Sequence, residues 1–331
     1  MKALITGGAG FIGSHLAEAI VRRGGAVCIL DNLSLGHPSN LTWVRREDPV
    51  EFVQGDVRDP AVLRRCLANS EYVFHLAALP SVPRSVEAPS PSHEINLSAT
   101  VTLLDLCREY PLKRFIFAGS SSVYGDQEVT FKHEALPPQP LSPYALQKFA
   151  AEQYGFLFAR HHGVPFVSAR FFNVFGPRQA FDSPYAGVIA KFCTVMLRGA
   201  APLIFGDGLQ SRDFTYIDNV VDGLLRAAAA PPECVVARAF NLACGERIDL
   251  LRLVADLNRL TGQQLAPEFA AARPGDVRHS CADIAAARVA FAYVPLVSWN
   301  DGLARTLAWY RAHGEASEWV SDSPSPRAAM G

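Results

Sequence analysis

A chain of 331 residues, 49% hydrophobic and with a formal net charge of −1, is long enough for two domains or for one large domain with an insertion. It is too near neutral to hold nucleic acid by neutralising phosphates. Its seven cysteines (28, 66, 107, 193, 234, 244 and 281) are scattered without a CxxC pair, so they read as buried thiols in a reducing compartment, with no metal site expected. No signal peptide precedes the first strand and no apolar run could span a bilayer, so the expectation is a soluble, cytoplasmic protein without a membrane partner.

The first element is a short apolar run, Lys2–Thr6, followed by Gly7-Gly-Ala-Gly10-Phe11-Ile12-Gly13 and a helical pattern over residues 14–23. This is strand, glycine turn, helix. Glycines 7, 10 and 13 permit a tight turn, close backbone approach to a pyrophosphate and close helix–strand packing, with the helix N-terminus facing the phosphates. A second strand, 26–30, ends at Asp31, 18 residues past Gly13. An acid there can accept hydrogen bonds from both ribose hydroxyls of NAD and would repel the 2′-phosphate of NADP.

The alternation continues: strand 51–54, helix 61–68, strand 72–76, helix 95–109, strand 114–118, helix 142–162 and strand 166–169. Strands alternating with helices predict an α/β fold, a Rossmann-type doubly wound parallel sheet. Ligands of such sheets bind at the carboxyl ends of the strands. Those ends carry Asp56 and Val57, Ala77 and Ala78, Ser120 to Ser122, and Phe172 and Asn173. Past about 180 the elements shorten. Helices are expected over 217–230, 250–260 and 282–291, and residues 239–242 return to the sheet. The expected organisation is a cofactor domain over 1–180, its sheet completed from within 217–245, an interleaved substrate domain over 181–314, and a disordered tail over 315–331.

Tyr144 and Lys148 lie four apart in the long helix, so phenol and ammonium share one face. A nearby ammonium favours the phenolate, and the pair is a candidate proton-transfer device. His75 ends a strand and reads as a satisfied core residue, while His161 and His162 close a helix, where imidazole suits the dipole.

Thr6-Gly7 to Gly13, Asp31, Ala77-Ala78, Ser120 and Tyr144 to Lys148, in this order, resemble an extended short-chain dehydrogenase/reductase over residues 1 to about 312. Further segments resemble the nucleoside-diphosphate-sugar 4-epimerases. They are Ser120-Ser-Ser-Val-Tyr-Gly125, Arg170-Phe-Phe-Asn-Val-Phe-Gly-Pro-Arg-Gln179, the run from Phe205 through Arg212 to Asp218, and Arg273-Pro-Gly-Asp-Val-Arg-His-Ser280. The UDP-N-acetylglucosamine 4-epimerase group also shares Ala77-Ala-Leu-Pro-Ser-Val-Pro-Arg84, although Pro80 replaces an expected glycine.

The resemblance implies roles. Tyr144 would take the proton of the sugar 4-hydroxyl while C4 passes hydride to NAD. Lys148 would hold the nicotinamide ribose and lower the tyrosine pKa, and Ser120 would bind the 4-oxygen. NAD would be tightly held and recycled, contacted by Gly7, Gly10, Phe11, Ile12, Gly13, Asp31, Asn32, Ser34, Gly36, Asp56, Val57, Leu76, Ala77, Ala78, Asn96, Tyr144, Lys148 and Phe171. The UDP-sugar would meet Ser81, Ser122, Tyr144, Asn173, Val188, Leu203, Ile204, Phe205, Arg212, Arg273, Asp276 and Ser280. The two arginines would take the diphosphate, Asp276 the uridine ribose and Phe205 with its neighbours the uracil. The resemblance also implies a homodimer, paired through helices 95–109 and 142–162.

Ser122 stands where related dehydratases and decarboxylases carry glutamate, which favours epimerisation. Ser280 stands where epimerases restricted to plain hexoses carry tyrosine, which leaves room for an N-acetyl group. Asn173, where threonine is expected in UDP-glucuronate 4-epimerases, weighs against that alternative. A non-catalytic NAD-binding regulator is the remaining alternative, against which stand the intact Ser120, Tyr144 and Lys148.

Overall fold

In a parallel sheet buried on both faces, successive residues of a strand enter two different cores. The computed structural model of the protein describes residues 1–181, 187–272 and 277–313. Six strands come first: β1 (Lys2–Thr6), β2 (Ala26–Asp31), β3 (Val50–Gln54), β4 (Tyr72–His75), β5 (Arg114–Ser120) and β6 (Phe166–Phe171). Then come β7 (Asn173–Phe175), β8 (Leu203–Phe205), β9 (Ser211–Arg212), β10 (Phe214–Tyr216), β11 (Arg238–Leu242), β12 (Ile248–Asp249) and β13 (Glu268–Ala270). Strands β1 to β6 and β11 form one sheet in the order β11-β6-β5-β4-β1-β2-β3, and every neighbouring pair is parallel. This is the expected Rossmann-type sheet, completed from the second half of the chain. The short strands pair as β7 with β10, β9 with β12 and β8 with β13.

Alternation sorts the core. Ile5, Ile116, Ala118 and Val167 face one cluster, with Leu16 and Ile20 of the helix Phe11–Arg22 and Leu224 of the helix Ile217–Ala229. Leu4, Phe115, Phe117 and Phe166 face the other, with Leu63 of the helix Pro60–Leu67 and Leu103 of the helix Ala99–Cys107. Because all seven strands run the same way, their carboxyl ends share one edge. The order reverses between β1 and β4, which opens the crevice where such sheets bind ligands.

Several elements differ from expectation. Strands β5 and β6 each run two residues beyond the apolar pattern, so Ser120 is the last residue of β5. The helix expected over 95–109 is Ala99–Cys107, preceded by a π turn, Glu94–Ser98, and two short helices, Val82–Glu87 and Pro89–His93. Proline punctuation concealed those two. Pro83 and Pro89 occupy first-turn positions, where a missing N–H costs nothing. The helices Val188–Leu197 and Trp299–His313 were also not foreseen. The expected tail, 315–331, lies outside the described residues.

The helix Pro143–His162 carries Tyr144 and Lys148. Ser142 starts it by accepting from the Ala145 amide at 3.1 Å, Pro143 follows, and Gly163 ends it at φ 69°. Ser142→Ala should lower unfolding stability by about 1 kcal/mol. Urea denaturation reads this, and an unchanged midpoint would show that the cap does not hold the helix start.

Candidate active site

The glycine turn is shaped by contact. Gly7 has φ +70°, and a Cβ added to it would lie 2.8 Å from the Ala77 amide nitrogen. A Cβ on Gly13 would lie 2.2 Å from the Gly7 carbonyl oxygen. The ends of β1 and β4 therefore meet backbone to backbone, and the first turn of the helix, with half-buried Phe11 and Ile12, sits directly on the loop. Such a cradle fits a dinucleotide pyrophosphate, which needs bare amides and no side chains.

Asp31 ends β2 with its carboxyl turned into this loop. One oxygen accepts from the Ala9 amide at 3.0 Å and the other from the Leu33 amide at 2.8 Å. Burial raises its pKa, and those backbone donors oppose the rise. The Gly10 amide is a third backbone donor, which leaves about one of the four carboxylate acceptor sites for a ribose hydroxyl. Gly36 lies against the same carboxyl. Asn32 bridges the next two loops, donating to Asp56 at 2.9 Å and accepting from the Ser34 amide at 3.0 Å. Arg58 grips Asp56 through Nε and Nη2, both at 2.9 Å, and holds its carboxyl well below the usual range.

The catalytic candidates converge beside β5. Lys148 donates to the Ala118 carbonyl at 2.9 Å and lies 4.8 Å from the centre of the Phe117 ring. Ser120 and Ser122 share a 2.8 Å hydrogen bond, and the Ser120 hydroxyl favours ionisation of the Tyr144 phenol. The Tyr144 amide donates to Ser85 at 3.1 Å, which ties the helix start to Val82–Glu87. Burial pushes the Lys148 ammonium down to about 7. Burial also pushes the Tyr144 phenol up to about 12, with the Ser120 hydroxyl pulling it down. In the protein itself desolvation is the larger influence on the phenol, and Lys148 is held by the Ala118 carbonyl.

Other expected ligands are placed differently. Asn96 is buried and spent on structure. Its oxygen accepts from the Leu79 amide at 2.8 Å, and its nitrogen donates to Gln147 at 3.0 Å and Ser92 at 3.1 Å. It therefore fixes the loop after Leu76, Ala77 and Ala78, and one lone pair of its Oδ1 stays uncommitted. Ile204 is fully buried, because alternation along β8 sends it to the core while Leu203 and Phe205 face outward. Val57 and Phe171 also bury their side chains in the core. Ser81 caps the helix Val82–Glu87. Asn173 begins β7, where its amide donates to the Asp213 carbonyl at 3.1 Å, and Val188 begins the helix Val188–Leu197. Arg212 donates to the Ser211 carbonyl at 3.0 Å, and the Ser280 amide donates to the same carbonyl at 3.1 Å, so these two substrate candidates adjoin. Arg273 and Asp276 lie outside the described residues.

One expected core residue and one group that escaped the sequence reading lie beside the site. His75 bridges Thr6 at 2.7 Å and Thr100 at 2.9 Å, and burial, followed by the Lys148 charge, pushes its pKa down to about 3. It is a neutral strut, as expected of a core histidine. Glu152, four residues past Lys148, continues the Tyr144–Lys148 face and forms a buried pair with Arg170 at 2.6 Å. The i, i+4 spacing was the available signal for it.

Residues 3–243 match the NAD dependent epimerase/dehydratase family, and the chain belongs to it. Among curated relatives, the UDP-glucose 4-epimerase of Mycolicibacterium smegmatis is 35% identical over 316 residues, covering 94% of this chain and 99% of its own. A UDP-N-acetylglucosamine 4-epimerase from Methanobrevibacter ruminantium, solved with UDP-N-acetylmuramic acid, superposes with a TM-score of 0.89 at 36% identity, covering 94% of this chain and 98% of its own. A UDP-glucuronic acid 4-epimerase from Bacillus cereus, solved with UDP-glucuronic acid and NAD, superposes with a TM-score of 0.87 at 32% identity, covering 94% and 99%. Among the described residues, no helix is long and apolar enough to cross a membrane.

A buried ammonium carries a penalty that appears as pH falls below the free lysine value near 10.5 and is complete near 7. Removing the charge relieves it. Lys148→Met, stripped of nucleotide, should therefore melt above the parent at pH 7 and converge on it as pH approaches 10.5, while losing activity. Calorimetry across that range checks the sign. A variant that melts below the parent at pH 7 would contradict the account of a desolvated charge.

Proposed function

We propose that this chain interconverts the C4 epimers of UDP-hexoses: UDP-N-acetylglucosamine with UDP-N-acetylgalactosamine, and UDP-glucose with UDP-galactose. The observation that carries the reading is the cluster of Ser120, Ser122 and Tyr144 at the carboxyl end of β5, with Lys148 desolvated beside it. Bound NAD supplies a reversible hydride acceptor and a positive ring charge, held by the glycine turn and Asp31. With that charge nearby the phenolate is favoured, and Tyr144 takes the 4-hydroxyl proton as the C4–H bond breaks. Ser120 steadies the 4-oxygen. The 4-keto sugar then turns within the site and is reduced on its other face, with Tyr144 returning the proton. Serine at 122 supports this over dehydration, because a hydroxyl cannot act as the carboxylate that elimination needs.

Arg212 and Arg273 would clamp the diphosphate, Asp276 the uridine ribose, and Phe205 with Leu203 the uracil. Residues 1–180, with the sheet completed by β11, would form the cofactor half and the rest of 181–314 the substrate half. Ser280 is a small side chain, which supports room for an N-acetyl group. On the helix Pro143–His162, Leu146 (55% exposed), Tyr154 (43%) and Leu157 (46%) present an apolar strip to solvent, which supports a homodimer built on that helix. Free thiols throughout the chain support a cytoplasmic setting.

A panel of UDP-sugars assayed without added NAD tests the reaction. Turnover is expected for both acetylated and plain hexoses, and a requirement for stoichiometric NAD would instead indicate a dehydrogenase. Tyr144→Phe should lose at least about a hundredfold in turnover while retaining nucleotide, as for removal of a general base. Ser280→Tyr should lose acetylated activity more than plain-hexose activity, and equal losses would refute its role in sugar choice.

A further inference from the structure

The buried ion pair behind Lys148 does not end at Arg170. Glu152 accepts from Arg170 Nε at 2.9 Å and Nη2 at 2.6 Å, and from Ser168 at 2.7 Å. The remaining guanidinium nitrogen, Nη1, donates to the Tyr124 hydroxyl at 2.9 Å. That hydroxyl donates to Asn241 Oδ1 at 2.7 Å. Asn241 Nδ2 then donates to two main-chain carbonyls, Lys132 at 2.9 Å and Asp283 at 3.0 Å. Glu152, Tyr124 and Asn241 are 0% exposed and Arg170 4%.

The polarity of this chain is forced. Arginine only donates, so the tyrosine hydroxyl must receive from Arg170 and pass its own proton on to Asn241 Oδ1. That fixes the amide orientation, and the two Nδ2 protons must then meet acceptors. Burial pushes the Tyr124 phenol up to about 12, against the Arg170 charge, so it remains a donor. Water cannot take the place of any link, because none is exposed.

The two ends are functionally distinct. Tyr124 closes the turn Ser121–Tyr124, whose cap is Ser120. At the far end, the Lys132 amide donates to the Cys281 carbonyl at 2.8 Å and the Asp283 amide to the Lys132 carbonyl at 2.9 Å. Residues 281–283 follow Ser280 directly. We propose that Tyr124 and Asn241 are positioning residues that set the Ser280 segment in register with Ser120 and Ser122, so that the sugar is held at one distance from the proton-transfer groups. The proposal rests on reading the site as that of a UDP-sugar 4-epimerase.

Tyr124→Phe and Asn241→Asp, singly and together, test it in the cofactor-loaded enzyme with UDP-N-acetylglucosamine. Each single change should lower kcat roughly tenfold, since small misplacement of reactants is costly. Bound nucleotide per chain should be unchanged, because neither residue belongs to the glycine turn. The double variant should be no worse than the poorer single one, because both cut the same chain. A purely structural role would lower the melting temperature but leave kcat per loaded enzyme within about twofold of the parent, and that result overturns the inference. So does a double variant whose losses multiply. If one variant fails to fold, the other decides on kcat alone. A parent that turns over no UDP-sugar overturns the proposed function as well, whereas an active parent with an equally active Tyr124→Phe overturns only the relay.

Discussion

The active site depends on where one helix sits on the sheet, and a stripe of three polar side chains fixes that position. Tyr144, Lys148 and Glu152 recur every four residues, so all three face β5 and β6. Glu152 is anchored by Arg170 and Ser168 of β6, and Lys148 by the Ala118 carbonyl of β5. Breaking one half of a buried ion pair of this kind costs ~3–5 kcal/mol, so the helix has little freedom to slide. Tyr144, one turn before Lys148, is delivered to Ser120 as a consequence.

The same burial shapes the chemistry. Desolvation makes Lys148 reluctant to carry its charge and Tyr144 reluctant to lose its proton. On the proposed mechanism both active forms are disfavoured in the protein alone, and a neighbouring positive ring would shift the balance toward the phenolate. Proton transfer would then be coupled to the oxidised cofactor, which suits a reaction that must both remove and return a hydride. The neutral His75, wedged between Thr6 and Thr100, braces the base of this arrangement without adding a competing charge.

The sequence made the cofactor half legible because its rules are local. A glycine turn between a strand and a helix, an acid ending the next strand, and a Tyr–Lys pair on one helical face need no long-range knowledge. The features that local rules did not reveal share a cause. Asn96 is a polar residue in the right region, but whether its amide faces a ligand or the Leu79 backbone depends on a π turn that apolar periodicity does not reveal. Ile204 sits among expected uracil contacts, yet the two-residue period of β8 turns it inward, and no pattern marked β8 as a strand. The Tyr124–Asn241 link joins residues 117 positions apart, which only the return of β11 to the sheet brings together. The short strands β7 to β10 and β12 to β13 pair across long intervals and leave equally little trace in local composition.

The central claim is that hydride leaves C4 and returns to C4 within one site, with Tyr144 exchanging the proton. A UDP-hexose deuterated at C4, incubated with the enzyme in ordinary water and no added NAD, tests it most directly. The account predicts a C4-epimerised product that keeps its deuterium at C4. Loss of the label to solvent would show that the C4 hydrogen moves as a proton, and would contradict the account.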